Sequence, residues 1–414
     1  MKAGIICCQI GAREHYALAR GLQQKGELRR LITDAWVPPD SAAGRSLGRL
    51  FQPLRERYHP ELPTSSVTAY TKRMLVFEFS ARIRGLTGWE RMIARNDWFQ
   101  EQAVQFIRNH RLFEGGGEEC PVVFSYSYAA RSIFAEARRR GCTTVLGQID
   151  AGPYEEKLVQ DQHHTFPEFH SETPGAPEAY WKRWREETEI ADAIVVNSEW
   201  SKNAVQRAGV PEQKLHVVPL IYETPLKRRT PRAYPKAFSK RRPLRVLFLG
   251  TLTLRKGLAQ LLQAAHALQS EPIEWWMVGD GPVTIPNRYR EQSSIQWVGR
   301  VPRGRTRHYY EKADVFLLPT ISDGFALTQL EAQAHGLPVI ASRRCGNVVI
   351  AEKNGLLLPD VTHEAISSAV TWCSQHPEHL ESMSRSALAR VDDFRAEQVI
   401  PAFLEAAEGA HKAS

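Results

Sequence analysis

The chain has 414 residues, of which 43% are hydrophobic and 24% are charged, and its formal net charge is +8 at pH 7. This length exceeds one ordinary hydrophobic core and predicts two domains, and the composition is typical of a soluble globular protein. No apolar run approaches the roughly 20 residues of a membrane-spanning helix, and the apolar stretch near the N-terminus is too short for a signal peptide.

The charge and the cysteines restrict the partners and the compartment that we expect. A mild basic excess is consistent with an anionic ligand or an anionic membrane surface. The cysteines form no CxxC pair and no metal-ligand spacing, so we expect most of them to be small apolar residues in a reducing cytosol. They are Cys7, Cys8, Cys120, Cys142, Cys345 and Cys373.

The first residues predict a strand, a turn, a helix and a second strand. The strand covers residues 2–10, the turn is Gly11-Ala12-Arg13, the helix covers residues 14–24, and the second strand covers residues 28–33. Open α/β sheets bind ligands beside the turn that follows such a strand, so Gly11 and Ala12 are candidate site residues. A tight turn without a ligand explains the same pattern.

Residues 40–115 predict a helical insertion in which aromatic side chains are scattered among arginines. A basic, aromatic-rich helical segment can rest on a membrane surface or hold an acceptor. A solvated helical layer with one core face is the alternative, and the composition does not separate the two.

Further along the first half, the strand predicted at residues 143–148 ends at Ile149-Asp150. The carboxylate of Asp150 at this strand end is a candidate site group, although a turn-forming Asp is equally common. The segment from Tyr222 to Arg245 carries four prolines and clustered basic residues, which is a linker composition. We therefore predict a first domain at 1–221, a linker at 222–243, a second domain at 244–392, and a C-terminal helix at 393–414 that returns to the first domain.

The second half contains the most informative stretch, Ser322 to Ser342. A buried strand, a glycine-containing loop, a helix and another strand follow one another there. The amides at the start of that helix have no partner inside the helix, and a helix N-terminus favours phosphate. These amides belong to Gly324, Phe325, Ala326, Leu327 and Thr328.

Two carboxylates accompany these amides. Asp323 precedes the helix, and Glu331 lies one to two turns inside it, where a carboxylate can accept hydrogen bonds from two neighbouring hydroxyls of a ribose or a sugar. An ordinary crossover with a capping Asp and a solvated Glu is the alternative interpretation of this stretch alone.

Several motifs together resemble the family 4 retaining glycosyltransferases, which have the GT-B fold of two doubly wound Rossmann-like α/β domains facing across a cleft. The motifs are Lys256-Gly257, Gly279-Asp-Gly281-Pro282 and the stretch from Asp323 to Glu331, and they cover about the whole second domain. The segments 197–202 and 214–219 extend the resemblance weakly into the first domain.

The resemblance implies roles for residues that match the family pattern. A lysine six residues after the glycine of the first strand contacts the donor diphosphate, and Gly250 and Lys256 match this spacing. The family usually has arginine directly after that glycine, where this chain has Thr251. Arg255, beside Lys256, is the candidate for supplying the missing charge.

The family signature also has two glutamates separated by seven residues. Glu331 matches the second, which holds the nucleotide ribose, while the first is replaced by Asp323, one methylene shorter. The loop after Gly299 would contact the base through Arg300 and Val301. A family histidine near the reacting sugar has no clear equivalent, and Tyr126 and Asp150 occupy its two expected places.

The resemblance implies transfer of a sugar from a nucleoside diphosphate sugar to an acceptor hydroxyl with retention, without a cofactor or a metal ion, and the sequence has no Asp-x-Asp. A glycan, a lipid-linked molecule or a small molecule is the expected acceptor. We expect a cytoplasmic protein, with peripheral association at an anionic membrane as an option and without nucleic acid as a partner. The alternatives are a sugar-nucleotide-binding subunit without turnover and another GT-B enzyme such as a sugar-nucleotide epimerase.

Overall fold

A computed structural model describes residues 4–41, 54, 56–113, 120–171, 175–226 and 229–413. Within these ranges the first half of the chain forms a seven-stranded parallel sheet with the strand order β3-β2-β1-β4-β5-β6-β7. Its strands are β1 (Ile5–Gln9), β2 (Leu28–Thr33), β3 (Val67–Ala69), β4 (Val122–Tyr126), β5 (Thr144–Gln148), β6 (Ala193–Val196) and β7 (Leu215–Val217).

The described residues of the second half form a six-stranded parallel sheet with the order β10-β9-β8-β11-β12-β13. Its strands are β8 (Leu244–Leu249), β9 (Ile273–Val278), β10 (Ile295–Gly299), β11 (Val315–Leu318), β12 (Val339–Ala341) and β13 (Gly355–Leu357). Most strands are short and apolar because helices cover both faces of each sheet, as in other parallel sheets.

Helices connect the strands in both halves. In the first half they are α1 (Ala17–Gln24), α2 (Thr71–Ile83), α3 (Gly88–Asn109), α4 (Arg131–Arg139), α5 (Pro153–Thr165), α6 (Glu178–Ile190) and α7 (Glu199–Arg207). In the second half they are α8 (Leu258–Ala267), α9 (Asn287–Arg290), α10 (Arg303–Lys312), α11 (Thr328–Ala334), α12 (His363–Gln375), α13 (Pro377–Arg390) and α14 (Ala396–Ala413).

The last helix, α14, leaves the second half of the chain and packs on the first sheet. Its buried Ile400 and Phe403 share a core cluster with Ile5 of β1 and Phe124 of β4, and the Phe124 and Phe403 ring centroids are 5.4 Å apart. The chain therefore crosses between the two α/β layers twice, once before β8 and once before α14.

The predicted fold class, two doubly wound parallel α/β layers, is confirmed, but two local predictions need correction. The predicted helical insertion contains the strand β3, whose three residues were too few to show an alternating pattern. Residues 42–53, 55, 114 and 115 of this insertion lie outside the described ranges. The cysteines are buried as expected, but Cys120 and Cys142 form a disulfide between the beginnings of two adjacent strands.

Candidate active site

The carboxyl ends of the two sheets meet at a cleft, where the loop after β11 touches the first half of the chain. A Cβ atom on Gly324 would lie 2.4 Å from the Ile149 backbone oxygen, so only glycine permits this approach. The Gly324 carbonyl accepts hydrogen bonds from the hydroxyls of Ser198 and Ser201, at 2.8 and 3.2 Å. Because these groups belong to different layers, the contact fixes the cleft at this point.

A charged cluster lies beside this contact. The Lys256 ammonium forms an ion pair with Asp323. The Arg255 guanidinium is 3.6 Å from Asp323 Oδ2 and 3.6 Å from Glu155 Oε1, and it donates to the Ser322 carbonyl at 3.0 Å. Two cations from the second half therefore face carboxylates from both halves.

Burial and charge act in opposite directions on these groups. Burial raises the pKa of the Asp323 carboxyl, but the nearby Lys256 and Arg255 outweigh it and lower that pKa below its usual value. Burial likewise lowers the pKa of the Arg255 guanidinium, and the neighbouring carboxylates outweigh it and raise that pKa. Glu155 differs, because burial dominates and raises its pKa to about 7, despite Arg255.

The cations are positioned by a short 3₁₀ turn, Leu254–Lys256, that ends at Gly257. Gly257 has a left-handed backbone with φ of 71°, and a Cβ there would lie 1.9 Å from the Pro319 backbone oxygen. Only glycine combines this conformation with this close approach. The turn that carries Arg255 and Lys256 is therefore tied to the loop that carries Asp323.

The remaining glycines of the second-half motifs pack one loop against another. A Cβ on Gly279 would lie 1.9 Å from the Gly250 oxygen, and a Cβ on Gly281 would lie 1.9 Å from the Leu252 oxygen. Thr251, between these contacts, is exposed. The Gly-Asp-Gly motif thus sets the distance between the loops after β8 and β9.

The predicted run of free amides at a helix start needs correction. The helix α11 has seven residues and begins at Thr328, so Gly324 to Leu327 form an irregular turn before it. The Phe325 amide donates to Asp323 Oδ1 at 3.2 Å, and Ala326 has a left-handed backbone with φ of 63°. The Phe325 ring is buried against Phe394, which anchors the turn to the 3₁₀ turn Val391–Phe394 that follows α13. This turn, and not a helix terminus, faces the cleft.

The second predicted carboxylate, Glu331, lies on α11 and accepts a hydrogen bond of 2.8 Å from the hydroxyl of the buried Tyr310. The Tyr310 ring stacks on His335 with centroids 5.1 Å apart. Val301 packs against the same apolar cluster as Tyr310, whereas Arg300 is exposed after β10. Glu331 and Val301 therefore both lie beside Tyr310, at a partly buried surface of the second half.

In the first half, the Gly11 amide donates to Asp34 Oδ1 at 2.9 Å. The carboxylate of Asp34 is fully buried and also accepts from the guanidinium groups of Arg57 and Arg95, at 2.9 and 2.7 Å. Ala12, the next residue, is partly buried. Sequence reasoning missed Asp34, although the arginine-rich insertion was the available signal for a buried carboxylate partner.

The loop after Ala12 has an unusual backbone. Glu14, His15 and Tyr16 all have left-handed φ angles, between 50° and 59°. Burial raises the pKa of the Glu14 carboxyl to about 7, and Glu14 lines a cavity of about 40 Å³ together with Tyr126 and Asn197. His15 contacts Arg303 of α10, which adds a second connection across the cleft.

The third predicted carboxylate, Asp150, supports its own turn. Its Oδ1 accepts from the Tyr128 hydroxyl at 2.6 Å, the Gln148 side-chain amide at 3.0 Å and the Gly152 amide at 2.9 Å. This arrangement fits the alternative interpretation of Asp150 as a turn-forming residue. Asp150 influences the charged cluster through the electrostatic effect of its charge. Within the described residues, no group of three or more His, Cys, Asp or Glu side chains is arranged to hold a metal ion.

Comparison with known protein families finds a match within the second half of the chain. Residues 243–376 match the family described as glycosyl transferases group 1. The amylovoran biosynthesis glycosyltransferase AmsK of Erwinia amylovora is 27% identical over 165 residues, which are 36% of this chain and 40% of AmsK. The putative colanic acid biosynthesis glycosyltransferase WcaL of Escherichia coli is 25% identical over 225 residues, 50% of this chain and 54% of WcaL. The matches thus span about half the length of these relatives.

Among solved structures, HepE of Anabaena in complex with UDP has a TM-score of 0.60 at 14% identity and covers 99% of this chain and 100% of its own. At this identity the likeness shows the fold alone. The fold is GT-B, with the cleft between its two halves at the position described above. Over the described residues, no helix is long and apolar enough to cross a membrane.

Proposed function

We propose that this chain, whose residues 243–376 form a domain of the glycosyl transferases group 1 family, transfers a sugar from a nucleoside diphosphate sugar to an acceptor hydroxyl with retention. The observation that carries the proposal is the pair of cations, Arg255 and Lys256, held in the cleft between the two halves. A diphosphate leaving group needs such cations where its charge develops.

The reaction breaks the bond between the sugar C1 and a β-phosphate oxygen and forms a bond between C1 and the acceptor oxygen. The acceptor proton passes to the departing phosphate on the same face of the sugar, so no protein base is required. Lys256 and Arg255 stabilise the phosphate oxygens as negative charge grows on them, and their fixed positions avoid reorganisation during the step. We propose that these cations take the place of a metal ion.

Binding of the donor would change which groups form ion pairs within the charged cluster. In the structure, the Asp323 carboxylate pairs with Lys256 and lies 3.6 Å from Arg255. A diphosphate carries more negative charge and would replace it at both cations. Asp323, still held by the Phe325 amide, would then accept a hydrogen bond from a donor sugar hydroxyl.

The nucleoside would lie on the surface near Glu331. A carboxylate accepts two hydrogen bonds from the vicinal hydroxyls of ribose, and Tyr310 fixes the carboxylate orientation by donating to one oxygen. Val301 offers an apolar contact for the base, with Arg300 beside it. In this proposed arrangement, the diphosphate would lie between the ribose and the two cations.

Similar proteins support the substrate classes. HepE binds UDP in its solved structure, which supports a nucleotide-sugar donor. The names of AmsK and WcaL place them in amylovoran and colanic acid biosynthesis, which supports a role in polysaccharide or glycolipid biosynthesis. We propose a glycan or lipid-linked hydroxyl as the acceptor.

The experiment is a turnover assay of the purified chain with UDP, GDP and ADP sugars, with and without a hydroxyl acceptor and a metal chelator. The anomeric configuration of the product, determined by NMR, tests retention. We expect turnover that resists chelation and that falls roughly 100-fold or more in Lys256→Ala, which keeps the fold. The matched control is Lys353→Ala, because Lys353 is an exposed lysine of the same domain.

Three results would contradict the proposal. Near-normal turnover in Lys256→Ala would remove the assigned role of the lysine. Binding of a nucleotide sugar without hydrolysis or transfer across several acceptors would favour a binding subunit. A rearranged sugar nucleotide as the product would identify an epimerase.

A further inference from the structure

An apolar ridge lies on the outer face of α2 and the start of α3. Val76, Phe79 and Ile83 expose 69%, 68% and 71% of their surface, so most of each large apolar side chain is in contact with solvent. Their spacing of three and four residues places them on one face of the helix. Leu75 on the same helix and Met92 near the start of α3 are further exposed apolar side chains, at 37% and 46% exposure.

The ridge is a second apolar face, and it does not serve the core. The opposite face of α2 carries Met74 and Ala81, which are buried, and Met74 packs in a small apolar cluster with Ala35 and Val37. Among the described residues, nothing covers the outer face. A surface helix normally keeps that face polar, and contiguous exposed apolar side chains mark an interaction site.

Basic side chains surround the ridge. Residues 71–92 contain five basic and two acidic side chains. Both acidic residues are glutamates, and one of them, Glu78, already pairs with Arg91 and Arg95. Arg82 and Arg84 are exposed next to Ile83. A protruding apolar ridge with a basic border matches the acyl region and the charged headgroups of an anionic bilayer.

The helical hairpin is also fixed relative to the cleft. The helix α2 begins directly after β3, at the carboxyl edge of the first sheet. Arg95 of α3 donates to Asp34, whose other oxygen accepts the Gly11 amide at the same edge. Any partner that binds the ridge would therefore lie at a fixed position relative to the cleft.

We propose that this ridge docks the protein on an anionic lipid bilayer, with Val76, Phe79 and Ile83 inserted among the acyl chains and the neighbouring arginines at the headgroups. The basic border favours an anionic bilayer over a second copy of the chain, because two copies would bring two basic borders together. The docking is independent of sugar transfer and would persist in a variant without turnover.

Cosedimentation with phosphatidylcholine vesicles, with and without phosphatidylglycerol, tests the proposal on the full chain. We expect binding only with phosphatidylglycerol, weakened by salt. Phe79→Glu with Ile83→Glu should lower the partition coefficient about 100-fold or more, since burying each of the two side chains is worth roughly tenfold. Arg82→Glu with Arg84→Glu should lower it about tenfold or more through the surface potential.

The matched control is Ile350→Glu, which changes an exposed isoleucine in the second half and should leave binding unchanged. Thermal unfolding of each variant verifies the fold. Absent binding to phosphatidylglycerol vesicles, or equal binding by the Phe79 and Ile83 variant, would overturn the proposal. A dimer that dissociates in that variant without any vesicle binding would assign the ridge to a second copy.

Discussion

The two halves of the molecule present the same edge of a parallel sheet to the cleft and build that edge differently. The second half uses glycines at close backbone approaches and places cations on the loops that result. The first half bends its loop with three left-handed residues that are not glycine, and it contributes the partly buried carboxylates Glu14 and Glu155. The cations Arg255 and Lys256 both come from the second half, whereas the carboxylates beside them come from both halves, so the pair of Arg255 with Glu155 joins the halves by charge.

The first prediction tests the dependence of the second half on glycine. Gly257→Ala should destabilise that half by about 4 kcal/mol or more, because its Cβ would overlap the Pro319 oxygen. Gly299→Ala is the matched control, since Gly299 has a similar φ of 75° but no atom within 4 Å, and strain alone costs about 1 kcal/mol. Thermal unfolding measures both. Equal losses would show that conformation, and not the close approach, requires glycine.

The second prediction tests the carboxylates of the first half. Burial raises the pKa of Glu155 from 4.5 to about 7. The stability that its protonated form contributes is therefore complete below pH 4.5 and is lost as the pH rises through 7. Glu155→Gln avoids this loss. Its free energy of unfolding relative to wild type should therefore rise between pH 5 and pH 8, by about 3 kcal/mol at most.

Urea unfolding at several pH values measures that difference, with the exposed Glu178→Gln as the control. If the difference in free energy of unfolding between Glu155→Gln and wild type did not change with pH, the Glu155 carboxylate would be as well solvated as an exposed one. A falling difference would mean that its pair with Arg255 outweighs burial.

The third prediction concerns the acceptor of the ribose hydroxyls. Glu331→Gln removes a charged acceptor and should raise KM for the donor about tenfold, because a hydrogen bond to a charged group contributes about 1.5 kcal/mol. The value of kcat should change less. Steady-state kinetics measures the effect, with the exposed Glu405→Gln as the control. An unchanged KM would place the ribose elsewhere.

The fourth prediction returns to the left-handed loop of the first half. His15→Gly removes one strained conformation and one contact with Arg303, and these changes oppose each other. The free energy of unfolding should stay within about 1 kcal/mol of wild type. A much larger loss in thermal unfolding would show that the cross-cleft contact of His15 stabilises the closed arrangement.

The sequence alone predicted those parts of the site that depend on residues close to one another in the chain. The strand and loop alternation predicted both sheets, and the spacing from Gly250 to Lys256 singled out a lysine that does lie in the cleft with Asp323. The loop glycines were also found, but their close approaches to Gly250, Leu252 and Pro319 involve residues distant in sequence.

The missed features depend on tertiary contacts. Nothing local to Glu155 indicates that α5 carries it to Arg255, a hundred residues later. Asp34 looked like an ordinary residue after a strand, because its partners Arg57 and Arg95 come from the insertion. The amide of Phe325 was expected to be free because the predicted helix began too early, and the left-handed Ala326 moves that start to Thr328.

Calorimetric titration with UDP, GDP and ADP, each paired with its monophosphate, tests most directly whether Lys256 and Arg255 hold a diphosphate. We predict that one nucleoside diphosphate binds the wild type at least tenfold more tightly than its monophosphate, as expected for a charge-assisted contact worth about 1.5–3 kcal/mol. Lys256→Met should abolish that advantage and leave monophosphate binding unchanged. Equal affinities in the wild type, or an advantage that survives in Lys256→Met, would contradict the account.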